Sequence, residues 1–421
     1  LSYPLRVLDS MSNSKTTIIL ILLLGFLFCP PGLRKVHAQS EPTLQSQKAS
    51  FDYSLLTGSV ETRIESVDID GHGPYTVEVA SGLNLLDKKR GKRIELEASY
   101  PKEAGLYPII VFSHAPVASA RDYRPFAAFW SSHGYICVSP THDDALVRNS
   151  KKGERISLLK LIKLARVDEK SLAERSRDLE LAILSLPGLP GKIDGLADKM
   201  DFSKIALAGH HAGAYSAQRL SGAYKQIKAQ LLFMGTNKGL PSIGKQDWSS
   251  VTTPTLVVSF FDGIRSVDGQ RDRLIKLLKE AHRTDLYMVT IDGEKRKRPG
   301  PRKVRRILKN SNIDLIGIHP LALFGKRKES AKPTELNDKS ISTSDFDHNE
   351  MPGAELVDRL GVNPLDKRGG GERERFEFAM ASTLPFLDAY LKEEKGALAA
   401  MLQDRGKVEE NGIKIEIESF N

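Results

Sequence analysis

Two adjacent histidines, His210 and His211, lie in a short segment bounded by glycines, and they are the first candidates for chemistry. Gly209 precedes the pair and Gly213 follows it one residue later, with an apolar run before the segment and a helical pattern after it. This spacing is typical of a sharp strand-to-helix turn that presents its middle residue, here His211. An imidazole at such a turn could attack an activated ester or ligate a metal.

A metal site at these histidines is not favoured. Neighbouring residues in a turn point in different directions, and the pair has no His-x-x-x-His partner or carboxylate companion nearby in the sequence. The sequence therefore predicts no metal at this position.

The elements that must position the turn alternate between strands and helices from Tyr75 onward. The runs "YPIIVFSHA", "GYICVSPTH" and "KIALAGH" are continuously apolar, which is typical of strands buried on both faces of a parallel sheet. Amphipathic stretches such as 171–186 lie between such runs. The sequence predicts an α/β fold with a mostly parallel, doubly wound sheet and helices on both faces.

The N-terminal region has the features of an export signal. A cation is followed by the mainly apolar run Ile18–Phe28, and residues 36–38 suit cleavage after Ala38. This run is shorter than the ~20 residues that span a bilayer, so an uncleaved membrane anchor is the less favoured alternative. We predict a signal region over 1–38, with the start at Met11, and a secreted or periplasmic mature chain.

Charge is distributed unevenly along the chain. It contains 62 lysines and arginines against 53 aspartates and glutamates, and eight of the basic residues lie within Lys295–Arg306. We predict a flexible lead-in over 39–70, a core over 71–293, a basic and partly disordered insertion over 294–371, and a closing helix and tail over 372–421. A solvated loop accounts for the basic cluster, with an anionic surface as the alternative partner. No specific nucleic-acid recognition is predicted.

Four segments, in this order, carry a family resemblance. They are "YPIIVFSHAPVASARDYRPFAAFWSSHGYICVSPTHDD", "AERSRDLELAILSL", "DFSKIALAGHHAGAYSAQRLSGA" and "TPTLVVSFFDG". Together they resemble the α/β-hydrolase superfamily, and in particular esterases of the platelet-activating-factor acetylhydrolase, chlorophyllase and dienelactone-hydrolase type. The resemblance covers about Tyr75 to Gly293 and the closing helix. Members of this family are serine esterases that act on small or lipid-like esters. The resemblance therefore implies a serine-esterase site that needs neither a metal nor an organic cofactor.

The resemblance places the nucleophile at the middle of the glycine-bounded turn, where this chain has His211 instead of serine. Gly209 and Gly213 are both retained, which predicts an intact turn. Serine works because its acyl ester persists until water hydrolyses it. An acyl-imidazole is short-lived, and the larger ring fills space meant for the substrate carbonyl.

The oxyanion-binding position is altered as well. Relatives have Ser-His-Gly followed by a residue whose backbone N–H binds the oxyanion, together with the N–H that follows the nucleophile. Here Ser113 and His114 are followed by Ala115 and then by Pro116, which has no N–H, so only the Ala212 N–H remains. Removal of one such donor typically lowers the rate ~100- to 1,000-fold.

The acid and base positions follow later strands. Asp262 ends "TPTLVVSFFD", where the resemblance places the triad carboxylate, and a turn-capping role is the alternative. The histidine position after the last strand holds Arg296, which stays protonated near neutral pH and cannot act as a general base. We predict an Asp262–Arg296 ion pair that preserves the arrangement of the former triad.

Several other residues could replace the missing groups. His319 and His348 follow the last strand in chain order, and Ser216 lies one turn into the helix after the elbow. His142, with two aspartates after it, follows an earlier strand and could contact a substrate, although strand-end capping is the simpler role.

The nucleophile, the base and one oxyanion donor are therefore missing, while the elements that position them are retained. We predict an exported α/β-hydrolase-fold protein without esterase activity, acting in binding or regulation with a small ester-like or lipid-like ligand. The alternative is an active ester hydrolase with relocated catalytic residues. The sequence leaves the oligomeric state open.

Overall fold

The computed structural model describes residues 51–67, 71–149, 156–165, 167–235, 248–262, 270–293, 313–314, 370–403, 408–410 and 413–420. These residues belong to one compact unit of the chain, Pro42–Asn421. Within them, no helix has both the length and the apolar character needed to cross a bilayer. The predicted signal region and nearly all of the predicted insertion lie outside the described residues.

The described part of the chain contains fourteen strands, and twelve of them form one sheet. The strands β1 to β14 are, in chain order, Leu56–Thr57, Glu61–Glu65, Val77–Asp87, Lys92–Pro101, Tyr107–Ser113, Ile136–Thr141, Ile156–Ser157, Met200–His210, Ile227–Gly235, Thr255–Asp262, Leu286–Gly293, Ile313–Asp314, Val408–Glu410 and Ile413–Ser419. The sheet order is β1-β3-β4-β6-β5-β8-β9-β10-β11-β14-β13, with β2 also paired to β3. Strands β7 and β12 pair with each other.

The centre of this sheet is parallel, as predicted. Strands β6, β5, β8, β9, β10 and β11 are neighbours in that order, and each neighbouring pair is parallel. Antiparallel strands flank this group, with β4 beside β6 and β14 beside β11. Ser113 at the end of β5 is aligned with Gly209 of β8. The predicted oxyanion position and the predicted elbow therefore lie side by side at the carboxyl edge, where ligands bind in open α/β sheets.

The helices cover both faces of the sheet. The described helices α1 to α8 are Arg124–Ser132, Leu146–Asn149, Leu158–Ala165, Glu169–Ser185, Ala212–Gln218, Gln270–Glu280, Gly370–Leu391 and Lys395–Gln403. Along β5, Ile109 and Val111 belong to the core cluster that includes residues of α4, α5 and α6, whereas Ile110 and Phe112 belong to the cluster that includes α1 and α7. This alternation confirms the predicted two-sided arrangement.

The predicted lead-in 39–70 is structured in part, because β1 and β2 both lie inside it. Leu56 of β1 is buried in the core and pairs with Leu85 of β3. Strand β2 also pairs with β3, but four of its five residues are exposed. Because its side chains are solvated, this strand has no apolar alternation that would predict it.

The C-terminal region also differs from the prediction. Helix α7 begins at Gly370, inside the predicted insertion, and the predicted tail contains helix α8 and strands β13 and β14. Strand β14 pairs antiparallel with β11 and so extends the sheet. Isoleucines at 413, 415 and 417 give the period of two that indicates a strand, and this signal was missed.

Candidate functional site

The predicted elbow is present, and its backbone has the strained form that such a turn requires. Strand β8 ends at His210 and helix α5 begins at Ala212, so His211 alone makes the turn. Its φ of 55° and ψ of −117° lie in a region that residues other than glycine rarely occupy. The turn is held by the His211 N–H, which donates to the Phe233 carbonyl oxygen of β9 at 2.9 Å.

Close packing explains why glycines bound the turn. A Cβ atom at Gly213 would lie 2.9 Å from the His114 carbonyl oxygen and closer still to the Ser113 carbonyl oxygen. A Cβ at Gly209 would lie 2.7 Å from the Ala214 nitrogen. The first turn of α5 therefore packs directly against the end of β5, and a side chain at either position would separate them.

The side chain of His211 is neutral at physiological pH. It is partly buried, and burial followed by the nearby Arg175 charge lowers the pKa of its imidazole to about 4. Its Nδ1 atom is buried and has no hydrogen-bond partner among the described residues. An unpartnered buried nitrogen is costly, typically by ~1–3 kcal/mol, so this side chain does not contribute a stabilising hydrogen bond through Nδ1.

His210 has a different environment, as the sequence predicts for adjacent residues of a turn. It is buried, and its Nδ1 accepts a hydrogen bond from the Tyr123 hydroxyl at 2.6 Å. Burial, and then the neighbouring His211, lowers the pKa of His210 to about 3. The Tyr123 oxygen in turn accepts the Ala115 N–H at 3.4 Å. Within the described ranges, no three histidine, cysteine, aspartate or glutamate side chains are arranged to hold a metal.

The loop at the end of β5, residues 114–117, carries the predicted oxyanion position. His114 and Ala115 are completely buried, and Pro116 provides no N–H. Val117 has a φ of 63°, which is strained for a β-branched residue. Its carbonyl oxygen accepts the Leu146 N–H at 3.0 Å, so the loop is tied to the start of α2.

A Ser–His–Asp series of hydrogen bonds lies at the base of this loop. The Ser113 hydroxyl is 2.8 Å from His142 Nε2, and His142 Nδ1 is 2.9 Å from Asp178 Oδ2. The partners are satisfied when Ser113 donates to Nε2 and the Nδ1–H donates to the carboxylate. This is the order of donors and acceptors in a Ser-His-Asp triad, but all three side chains are at most 1% exposed.

Two cations pair with the buried Asp178 carboxylate. Lys92 Nζ lies 2.8 Å from Oδ2, and Arg90 Nη2 lies 2.7 Å from Oδ1. Burial, and then the charges of Arg175 and Lys92, lower the pKa of His142 well below its usual value. His142 therefore stays neutral between a carboxylate and a hydroxyl.

Arg175 of α4 connects the loops that follow β5 and β6. Its side chain is 3% exposed and donates to both carboxylate oxygens of Asp144, at 2.9 and 2.7 Å. It also donates to the His114 carbonyl oxygen at 2.6 Å. His142 and Asp144, two of the residues considered from the sequence as substrate contacts or strand caps, belong to this polar network, whereas Asp143 is exposed.

Arg175 and Asp178 were not predicted from the sequence. Helix α4 begins two residues earlier than predicted because Asp168 caps it, with its side chain accepting the Ser171 N–H at 2.8 Å. Within this helix, Arg175 and Asp178 lie on the buried side together with residues such as Leu179. Two charged residues on the apolar side of an amphipathic helix are the signal that could have revealed a buried network.

The remaining predicted residues are only partly described. Asp262 is the last residue of β10, but the described structure does not include its side chain. Arg296, His319 and His348 lie outside the described residues, so the Asp262–Arg296 ion pair stays a prediction. Ser216 is completely buried and donates its hydroxyl to the Ala212 carbonyl oxygen at 2.9 Å, so the elbow does not present it.

The mostly parallel sheet, the helices on both faces and the strained strand-to-helix turn define an α/β-hydrolase fold. Comparison with known proteins supports this assignment of the fold. Residues 67–164 match the family model of chlorophyllase. The chain is also 27% identical over 156 residues to chlorophyllase type 0 of Chenopodium album, in an alignment that covers 34% of this chain and 39% of that protein. The chain thus spans about two fifths of the length of the curated relative that it matches.

The segment that matches the family model includes part of the site only. It contains Ser113, the 114–117 loop and His142, but it ends before Asp178 and the elbow at His211. The match to the family model therefore covers only residues 67–164, and the nucleophile position lies outside that segment.

Proposed function

We propose that this protein is a chlorophyllase-like α/β-hydrolase that does not hydrolyse esters by the serine mechanism and acts by binding an ester-like or lipid-like ligand. The observation that supports the proposal is the elbow itself. Its strained backbone and both flanking glycines are retained, yet the residue at its tip is a neutral imidazole.

The chemistry of the elbow supports the absence of turnover. A neutral imidazole could attack an activated ester, but the acyl-imidazole formed would be short-lived and would give slow, nonspecific hydrolysis at most. Stabilisation of the oxyanion is also reduced, because Pro116 lacks an N–H and the Ala115 N–H is already donated to Tyr123. Of the N–H groups considered from the sequence, that of Ala212 is the one left for the oxyanion.

One observation favours a second candidate, an ester hydrolase that uses Ser113 as its nucleophile. Ser113, His142 and Asp178 are hydrogen-bonded in the order that activates a serine. The burial of all three side chains argues against it, since a substrate carbonyl must approach within about 3–3.5 Å of the serine oxygen. Inactivity is therefore the better supported proposal.

The test uses the purified protein with p-nitrophenyl acetate and p-nitrophenyl butyrate, followed by a fluorophosphonate probe and mass spectrometry. We expect turnover no greater than that of the Ser113→Ala variant, and no covalent adduct on a serine. Rapid turnover that Ser113→Ala abolishes, with an adduct on Ser113, would establish the second candidate and refute the first.

A matched variant tests the elbow separately. His211→Ser restores the expected nucleophile but neither the oxyanion donor nor the base, so we expect no substantial gain in activity. Recovery of esterase activity by this single change would show that the remaining groups suffice. Binding is tested with chlorophyll a, an ester with a long apolar chain, because the relatives that match this chain are chlorophyllases.

We also propose that the protein is exported and that residues 1–38 are removed. The order of cation, apolar run and small residues supports cleavage after Ala38. Expression with a C-terminal tag, followed by N-terminal sequencing of the purified chain, should give Gln39 as the first residue. A purified chain that retains residues 18–28 would favour the membrane anchor.

A further inference from the structure

His114 and His142, the histidine pair, link the loops that follow β5 and β6. Their ring centroids lie 4.7 Å apart. His114 Nδ1 is 2.7 Å from the Ala115 carbonyl oxygen, so it must carry a proton and donate. His114 Nε2 is 2.9 Å from the backbone nitrogen of His142, and it accepts that N–H. The contacts therefore fix one neutral tautomer of His114.

This arrangement leaves no place for a second proton on His114. A proton added to Nε2 would point at the His142 N–H, and two donors would then face each other. The backbone N–H of His142 would lose its acceptor in a site that water does not reach. A protonated His114 is therefore compatible only with a separated pair.

The charges around the pair do not relieve this conflict. Asp178 is the carboxylate that faces the pair most closely, and it already accepts from His142 and pairs with two cations. Asp144 is bidentate with Arg175, and Asp143 pairs with Lys92 and Arg148. The cations that face the pair, from the β3–β4 turn, β4, α2 and α4, are Arg90, Lys92, Arg148 and Arg175. Burial, and then His142 and Arg175, lower the pKa of His114 well below its usual value.

We propose that the histidine pair is an acid-sensitive connection at the edge of the candidate site, and that proton uptake at His114 Nε2 releases the His142 backbone from the 114–117 loop. The proton comes from solvent when the pair separates transiently.

The histidine pair lies next to the candidate site, so release of the His142 backbone from the 114–117 loop affects that site. The first turn of α5 packs against the Ser113 and His114 carbonyl oxygens, so movement of the 114–117 loop changes the surroundings of His211. This inference rests on the proposed function only in assigning the loop to a binding site. Acid would loosen the site, and neutral pH would hold it closed.

The experiment measures the amide exchange of His142 by NMR between pH 7.0 and 5.0 and converts it to a protection factor. In the native chain we expect the protection factor to fall about tenfold for each pH unit below about 6.5, because opening then takes up one proton. His114→Gln places an amide oxygen near the position of Nε2 and cannot be protonated in this range. It should keep the His142 N–H protected and remove the pH dependence.

His133→Gln is the matched control. His133 is partly buried, and its pKa too is lowered mainly by burial, but it lies at the end of α1 and outside the pair. This variant should retain the native pH dependence. The inference would be overturned if the native chain and His114→Gln showed the same pH dependence. It would also be overturned if the His142 amide lost protection only when the amides of β5 and β8 lost theirs. The exchange measurement uses no ester. Esterase turnover in the separate assay would refute the proposed function but would not change the exchange of the His142 amide.

Discussion

Gly213 illustrates how strongly single residues constrain the elbow. The space that a Cβ would need at this position is filled by two carbonyl oxygens at the end of β5. Neither oxygen can move freely, because Ser113 belongs to the sheet and the His114 oxygen accepts from Arg175. The turn at His211 therefore depends on glycine for packing, whatever residue occupies the nucleophile position.

We expect Gly213→Ala to destabilise the protein by ~3 kcal/mol or more, because the backbone of α5 must move away from β5. Gly396→Ala is the matched control, since Gly396 is also the second residue of its helix but has no atom within 4 Å of the Cβ position. It should stabilise the protein by ~0.5–1 kcal/mol through helix propensity.

Urea unfolding of both variants measures the two changes. Effects of equal size and sign would mean that the packing of α5 against β5 is looser than the described structure indicates.

Side chains of helix α4 hold together the loops at the carboxyl ends of β5 and β6. Asp178 reaches His142 after β6, and Arg175 reaches the His114 carbonyl after β5. Apolar packing of Val117 contributes to the position of the loop after β5, and these contacts to α4 hold both loop ends. Networks of this kind are costly to break because each removed partner leaves another buried group unpaired.

We expect Asp178→Asn to lower the free energy of unfolding by ~3 kcal/mol or more, since it removes the buried charge shared by two partly buried cations. Glu174→Gln is the control, because Glu174 pairs with the same Arg90 but its side chain is 37% exposed. Its cost should stay below ~1 kcal/mol. Chemical denaturation at neutral pH compares the free energies of unfolding of the two variants. An equal loss in Glu174→Gln and Asp178→Asn would mean that the Asp178 charge is not the main stabilising charge of the network.

The central strands and the elbow were predictable from the sequence, whereas the buried polar network was not. Strands such as β5 and β8 are continuous apolar runs, and the paired glycines identified the turn between β8 and α5. The Ser113–His142–Asp178 series joins residues that are far apart in sequence, and their types alone fit ordinary capping roles. Register and helix phase bring them together, and these depend on tertiary packing.

Several histidines in different parts of the molecule are held neutral within the fold. Burial is the main cause for His114, His142, His210 and His211, and it lowers the pKa of each. For His210 and His211 the lowered values are about 3 and about 4. Unfolding releases these side chains to water, where histidine has its usual pKa of about 6.5.

The sign of the resulting pH dependence follows directly. Below about pH 6.5 the unfolded chain takes up protons that the folded chain excludes, so the free energy of unfolding falls as pH falls. Each buried neutral histidine contributes ~1.4 kcal/mol per pH unit, until its own lowered pKa is reached. The full contribution to stability is present above about pH 6.5.

We expect urea unfolding at pH 7.5, 6.5 and 5.5 to show nearly constant stability over the first interval and a loss of several kcal/mol over the second. This interval lies above the range in which carboxylates ordinarily titrate, so the loss reports histidines. His211→Gln should reduce the slope by ~1.4 kcal/mol per pH unit. Equal stability at pH 6.5 and 5.5 would mean that the buried histidines take up protons without unfolding.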